Sequence, residues 1–227
     1  MIQLAEDLAQ RRDRMVASQI VDRGVRAPAV LDAMREVPRE RFVEADMAEF
    51  AYEDAPLAIG QGQTISQPYI VAAMIEAAEV GVGDVVLEVG AGSGYATAVL
   101  SRIAAHVCAI ERHEALARSA RRRLEALGYL NVDLVVGDGS QGWPGGRLFD
   151  AILVSAAGPD VPPSLKAQLA AGGRLVMPVG DSGHQRLVKL TRREPDRFDR
   201  LDIAGVSFVP LIGAQAWVED DGRAAGK

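Results

Sequence analysis

Three carboxylates in this chain stand at the ends of three successive apolar runs. Glu88 lies within Val85-Val86-Leu87-Glu88-Val89, Glu111 follows Val107-Cys108-Ala109-Ile110, and Asp138 follows the run Val132 to Val136. A carboxylate at a strand end can accept hydrogen bonds from two ribose hydroxyls, the role expected of Glu111. Asp138, followed by Gly139, offers a carboxylate and a backbone donor to an adenine edge. Between the first two acids runs Gly90-Ala91-Gly92-Ser93-Gly94-Tyr95, where missing Cβ atoms let backbone approach a ligand. A tight strand-to-helix turn would explain the glycines alone but not the three acids. A nicotinamide enzyme would use the same ribose acid. Its fingerprint is G-x-G-x-x-G, however, and this chain has Tyr95 where the third glycine belongs.

A second constellation lies upstream, in Ile59-Gly60-Gln61-Gly62-Gln63-Thr64-Ile65-Ser66-Gln67-Pro68. Two glycines flanked by amides and hydroxyls describe a loop able to approach another molecule. Ser66, just before Pro68 and a helical run, could be a helix N-cap. The three histidines, His106, His113 and His184, form no triad or metal spacing, and no metal is expected. Cys108, inside an apolar run, reads as packing. Arg118, Arg121, Arg122 and Arg123 read as a solvated helix face, and Trp143 and Trp217 as packing.

These groups need a scaffold, and the apolar pattern supplies one. Leu4, Leu8, Met15, Ile20 and Val21 recur at near-helical spacing up to Gly24, and a second helix runs from Ala27 to Val37 with Pro28 in its first turn. From Tyr69 helices alternate with short apolar strands: Tyr69 to Val80, Val85 to Val89, Tyr95 to Ala104, Val107 to Ile110, His113 to Leu127 and Val132 to Val136. Further strands are expected at Phe149 to Val154, Leu175 to Val179, Leu187 to Leu190 and Ile203 to Phe208. Such alternation predicts a parallel sheet covered on both faces. The last two runs lack an intervening helix and should pair antiparallel at one end.

Bulk composition narrows the partners. Of 227 residues, 48% are hydrophobic, enough for one full core, and the net charge of −6 argues against nucleic acid. The single cysteine permits no intrachain disulfide. No apolar stretch approaches the roughly 18 residues of a membrane span, and the N-terminal residues, with Glu6 and Asp7, lack the apolar block of a signal peptide. The expectation is a cytoplasmic protein, monomeric by default, with no nucleic-acid or membrane partner.

The form G-x-G-x-G preceded by an acid resembles the first motif of class I methyltransferases. Pro56 to Pro68 is more specific and is similar to the signature of protein-L-isoaspartate O-methyltransferases. The similarity extends to Arg23-Gly24-Val25, Val37 to Val43, Gly137-Asp138-Gly139, Phe149 to Ile152, Gly172 to Val176 and Phe208 to Leu211. Gly145 to Leu148, Ser155, Gly158 and Glu44-Ala45 depart from the usual pattern, away from the reactive loop. The resemblance implies an α/β, three-layer Rossmann-like methyltransferase sheet, mostly parallel with an antiparallel strand near the end, plus N-terminal helices and a small C-terminal extension. One domain is expected: 1–68 as helical segment and reactive loop, 69–200 as cofactor-binding core, 201–218 as substrate segment and 219–227 as a loose tail.

The implied reaction moves a methyl group from S-adenosyl-L-methionine to the free carboxylate of an isoaspartyl residue in a damaged protein or peptide, leaving S-adenosyl-L-homocysteine. Ser66 then matches the active-site serine. Glu88 falls near the methionine portion of the cofactor, and Pro68 and Tyr69 lie against it, with Gly90, Gly92, Gly94, Tyr95, Glu111, Asp138 and Gly139 completing the cofactor set. Thr64, Ile65, Val209, Pro210 and Leu211 fall to the substrate. Methylation of another peptide carboxylate, or cofactor binding without catalysis, would use the same fold.

Overall fold

The computed structural model describes residues 2–181 and 183–218. The tail expected over 219–227 lies outside the described residues. The chain opens with helix α1 (Ile2–Met15), which passes into a π-helical stretch, Val16–Val21. Gly24, at φ +102°, turns the chain after it. Helix α2 (Pro28–Glu36) and helix α3 (Pro68–Ala77) each begin on proline, whose missing N–H falls where a helix has no acceptor for it.

Between α2 and α3 the segment read as a plain loop forms an antiparallel hairpin, β1 (Leu57–Gly60) and β2 (Gln63–Ile65). Its turn uses Gln61 and Gly62 at φ 53° and 68°. Leu57 and Ile59 point inward and Ala58 and Gly60 outward, so the alternation that marks a strand was present but very short.

The main sheet has seven strands in the order β5-β4-β3-β6-β7-β8-β9. The parallel strands are β3 (Val85–Val89), β4 (His106–Glu111), β5 (Val132–Val136), β6 (Phe149–Val154) and β7 (Leu169–Asp181). Strand β8 (His184–Glu194) runs antiparallel to β7, and β9 (Arg197–Val206) antiparallel to β8. The expected antiparallel pairing of the last two runs is present, one strand earlier as well.

Side-chain alternation divides the core into two. Val86, Val107, Ala109, Ala151 and Leu153 pack with α2, α3, α4 (Tyr95–Ser101) and α5 (Glu114–Ala126). Leu87, Val89, Ile110, Ile152 and Val154 face the other way, against Val161, Leu165, Leu211 and Trp143. That second face is covered by the short α6 (Pro163–Ala167) and the 3-10 turn Gly139–Gln141, so the three layers are unequal and the segment around Leu211 completes the cover. At the outer rim, β9 is exposed along most of its length and carries paired charges, Asp199 with Arg193 at 2.6 Å and Asp202 with Arg200 at 3.1 Å.

Candidate active site

The chain leaves β3 in one direction for β4 and β5, then crosses to β6 on the other side, so strand order reverses at β3. Ligands of open parallel sheets bind beyond the strand ends at such a point. A cleft of about 830 Å³, open solvent at its mouth included, lies there.

The glycine turn forms its floor. Gly90 and Gly92, at φ 87° and 56°, line the cleft, and the amides of Gly90 and Ala91 both donate to Ile110 O, at 2.8 and 3.1 Å. Tyr95 lines it as well, buried beneath with the Arg39 guanidinium 4.9 Å from its ring centre. Gly139 is required by packing: a Cβ there would lie 2.3 Å from Val89 Cγ1.

Two acids give the cleft its polarity. Glu88 is 1% exposed; Thr97 Oγ1 donates to its Oε2 at 2.5 Å, and its Oε1 has no partner among the described residues. Burial pushes the Glu88 carboxyl up to about 8, against the hydrogen bond from Thr97 and with the charge of Glu111 adding to the rise. A buried carboxyl oxygen left open beside a cleft calls for a ligand that donates to it. Glu111 accepts from Gly92 N through Oε2 and from His113 N through Oε1, each at 2.8 Å. A carboxylate has about four lone-pair sites, so both oxygens keep capacity for a pair of hydroxyls.

The opposite walls come from distant parts of the chain. Thr64, Ile65 and Ser66 line one side, and Val209, Pro210 and Leu211 another. Ser66 does not cap α3: the capping position is Gln67, with no side-chain cap bond among the described residues. Its hydroxyl is therefore left to the cleft.

Four residues expected at the cofactor do not line the cleft. Pro68 is buried at the start of α3, and Tyr69 lies under the Arg23 guanidinium, 3.5 Å from its ring centre. Gly94 lets α5 approach α4, since a Cβ there would meet Ala120 and Leu124 at 3.3 Å. The expectation that Asp138 reads adenine meets a carboxylate already occupied. Its Oδ1 accepts from Ser140 N and Oγ at 2.9 and 2.7 Å, and its Oδ2 from Gln141 Nε2 and Ala214 N at 2.9 and 2.7 Å. Four donors fill about four lone-pair sites. Its neighbours Gly137 and Gly139 do reach the cleft.

Sequence reasoning passed over Arg112, His113, Ser155, Ala156 and Ile212, which line the cleft. The strand-end rule that found the acids also reaches Ser155 and Ala156, just beyond β6. Trp143 and Trp217 stay outside it, and Trp217 Nε1 donates to Ala157 O at 3.0 Å. Among the described residues, one trio of potential metal ligands comes together away from the cleft, His106, Cys108 and Asp133. The Arg147 guanidinium lies 3.8 Å from the Cys108 sulfur, and His106 Nε2 lies 3.0 Å from Asp133 Oδ2.

Comparison with known proteins places this geometry. Residues 10–216 match the model of the family protein-L-isoaspartate(D-aspartate) O-methyltransferase. The chain is 59% identical over 214 residues to protein-L-isoaspartate O-methyltransferase 1 of Rhodopseudomonas palustris strain HaA2, covering 94% of this chain and 87% of that protein. It is 62% identical over 206 residues to protein-L-isoaspartate O-methyltransferase of Methylorubrum extorquens strain PA1, covering 91% and 90%. A solved structure of a protein-L-isoaspartate O-methyltransferase superposes with a TM-score of 0.82 at 29% identity, covering 90% of this chain and 67% of that one. A beta-aspartate methyltransferase structure from Plasmodium falciparum, in complex with S-adenosyl-L-homocysteine, shares the fold with a TM-score of 0.77 at 24% identity, over 88% and 98% of the two chains. The chain belongs to the protein-L-isoaspartate(D-aspartate) O-methyltransferase family.

Proposed function

We propose that this chain methylates the free carboxylate of L-isoaspartyl residues in damaged proteins and peptides, starting their repair. The observation that carries the reading is the meeting, in one cleft, of the Ser66 loop, the glycine turn with Glu111, and the 209–211 segment. Each is a part that carbon–oxygen methyl transfer needs, and they come from three separated stretches of sequence.

S-adenosylmethionine, when bound, supplies a sulfonium-activated methyl group, which passes to a carboxylate oxygen as the carbon–sulfur electron pair stays with sulfur. The residues present fit that cofactor. Glu88 Oε1 is the open acceptor for the amino group of its methionine portion. Glu111 retains acceptors for the ribose hydroxyls, and Gly90 and Gly92 let the backbone come close.

The nucleophile needs no base, because an aspartyl-type carboxylate, pKa about 3.9, is ionised at neutral pH. The chain's task is therefore placement and partial desolvation. Ser66 donates a hydrogen bond that orients the carboxylate without neutralising it, whereas a cation at that point would blunt the nucleophile. The 209–211 segment holds the neighbouring peptide as an extended strand. We place the protein in the cytoplasm, without nucleic-acid partners, on its net charge of −6 and its single, buried cysteine, and take the monomer as its default state. Among the described residues no helix is long and apolar enough to cross a membrane.

The test pairs an isoaspartyl peptide with its aspartyl twin. An isoaspartyl linkage leaves the α-carboxylate free, one methylene nearer the backbone nitrogen. A normal aspartate held by the same contacts presents its carboxylate at the wrong depth, and an error of about 1 Å costs on the order of 100-fold. Methyl transfer from labelled cofactor should be strong to the first peptide and nearly absent to the second. Equal methylation of both removes the repair reading and leaves a methyltransferase.

A further inference from the structure

The stretch from Phe208 to Trp217, of which Val209 to Ile212 line the cleft, has no named strand or helix of its own. Its shape is imposed from outside. At its start, Gln185 uses both ends of its amide: Nε2 donates to Phe208 O at 3.0 Å and Oε1 accepts from Phe208 N at 2.6 Å. In the middle, Ala157 N donates to Val209 O and Leu211 N donates to Ala157 O, both at 2.8 Å.

At its far end the holder is Asp138. Its Oδ2 accepts from Ala214 N at 2.7 Å, and its Oδ1 accepts from Ser140 Oγ, which itself accepts from Gln215 N at 3.0 Å. Gly213 makes this approach feasible, since a Cβ on it would lie 2.0 Å from Asp138 Oδ1. Asp138 also sits between Gly137 and Gly139, both of which face the cleft.

We propose that Asp138 is a positioning residue for methyl transfer, anchoring the peptide-binding wall 209–212 to the cofactor wall formed by Gly137 and Gly139. The proposal rests on the functional reading above, in which 209–211 holds the substrate peptide. Burial alone raises the Asp138 carboxyl, and the donors from Ala214, Ser140 and Gln141 outweigh it and hold the group below its ordinary range. The acceptor is thus charged at neutral pH, and hydrogen bonds to a charged acceptor are the stronger kind. One residue touching both walls also couples them: whatever seats against Gly137 and Gly139 steadies the peptide wall, and the effect is reciprocal for binding.

Asp138→Asn separates this role from adenine recognition. An adenine reader needs one acceptor oxygen, which asparagine keeps. An anchor surrounded by four donors cannot accept an amide NH2 in either orientation, because donor then faces donor at Ser140 or at Ala214 and Gln141. The expected result is a KM for the isoaspartyl peptide raised about 10–100-fold, the loss typical of a charged hydrogen bond. The affinity for S-adenosylhomocysteine, measured by calorimetry without peptide, should stay within about threefold of the parent. Ser140→Ala, which removes only the relay to Gln215, should shift the peptide KM in the same direction by a smaller factor and covers the chance that the first variant misfolds.

Amide hydrogen exchange reads the anchor independently of catalysis. Exchange at Ala214 and Gln215 should quicken about tenfold or more in Asp138→Asn while the amides of β4 keep their protection. Unchanged exchange there, or a loss of cofactor affinity with peptide KM unaltered, overturns the proposal. Should the parent methylate no isoaspartyl peptide while Asp138→Asn still shows the exchange change, the functional reading is overturned and the anchor stays in place.

Discussion

Replacing Glu88 by glutamine should make the ligand-free protein more stable at alkaline pH and worse at binding its cofactor. The Glu88 carboxyl is fully buried, and its pKa is pushed from the ordinary 4.5 to about 8. The folded chain therefore holds the proton more tightly than the unfolded chain does. Stability from this group is fully present below about 4.5, falls as pH rises through the interval, and levels off above about 8. At 1.36 kcal/mol per pH unit the whole interval amounts to about 5 kcal/mol. Glutamine keeps an oxygen for Thr97 Oγ1 and has no proton to lose. Melting curves of parent and Glu88→Gln, taken without cofactor from pH 5 to 9, should run together at the acid end and diverge upward for the variant. A gap of only about 2 kcal/mol corresponds to about 4–8 °C for a chain of this size, well within measurement. The same variant cannot become charged to meet an amino group, so its affinity for S-adenosylhomocysteine should fall about 10–100-fold at pH 8. Parallel melting profiles across the whole range would show that Glu88 titrates normally and that the buried, open oxygen is not a feature of the ligand-free protein.

Ser66→Ala should lower turnover while cofactor affinity and melting temperature hold, because the hydroxyl caps no helix; a drop in melting temperature with normal turnover would return Ser66 to a structural role. Glu111→Ala should weaken S-adenosylhomocysteine binding about 10–100-fold in calorimetric titration, and full affinity in a folded variant would move ribose recognition elsewhere. Gly139→Ala forces a Cβ to within 2.3 Å of Val89 Cγ1. Overpacking of this kind costs about 1–3 kcal/mol, so urea denaturation should show a lower midpoint, and an unshifted midpoint would mean the β3–β5 end relaxes freely.

Much of this molecule was legible in its sequence, and the limits have physical reasons. The strands β3, β5 and β6 carry apolar runs interrupted by one acid each, Glu88, Asp133 and Asp150, and their bounds agree with the pattern residue for residue. Strand β7 begins at Leu169, six residues before the apolar run that marked it, because Leu169 pairs with Phe149 and the ladder resumes at Arg174 after a register shift across a stretch with no apolar periodicity. The β1–β2 hairpin was hidden by Gly60 and Gly62, which read as loop although Leu57 and Ile59 alternate correctly. For the site, strand-end position singled out Glu88 and Glu111 and the resemblance carried by Pro56 to Pro68 singled out Ser66; all three line the cleft. The partner of Asp138 is not local. Whether its carboxylate turns toward a ligand or toward Ala214 depends on a segment 76 residues later, and nothing in Gly137-Asp138-Gly139 distinguishes the two. Tyr69 is similar: its ring is taken by Arg23, a pairing that only the packing of α3 on the N-terminal helices creates.

A protein that works on aged polypeptides meets clients whose own strands have come loose, and loose strands seek any unfilled hydrogen-bonding edge. The rim strand β9 would be such an edge, with Arg197, Asp199, Arg200 and Asp202 set along it and two ion pairs already formed at Asp199 and Asp202. A client segment docking there would have to strip water from paired charges and break up their pairing, which disfavours addition to a sheet margin. Near the cleft the 209–212 stretch carries no charge at all: Val209, Pro210, Leu211 and Ile212 offer backbone and apolar surface only. The contrast makes the charged margin a poor partner for a loose strand, while the uncharged stretch beside the cleft presents no such obstacle.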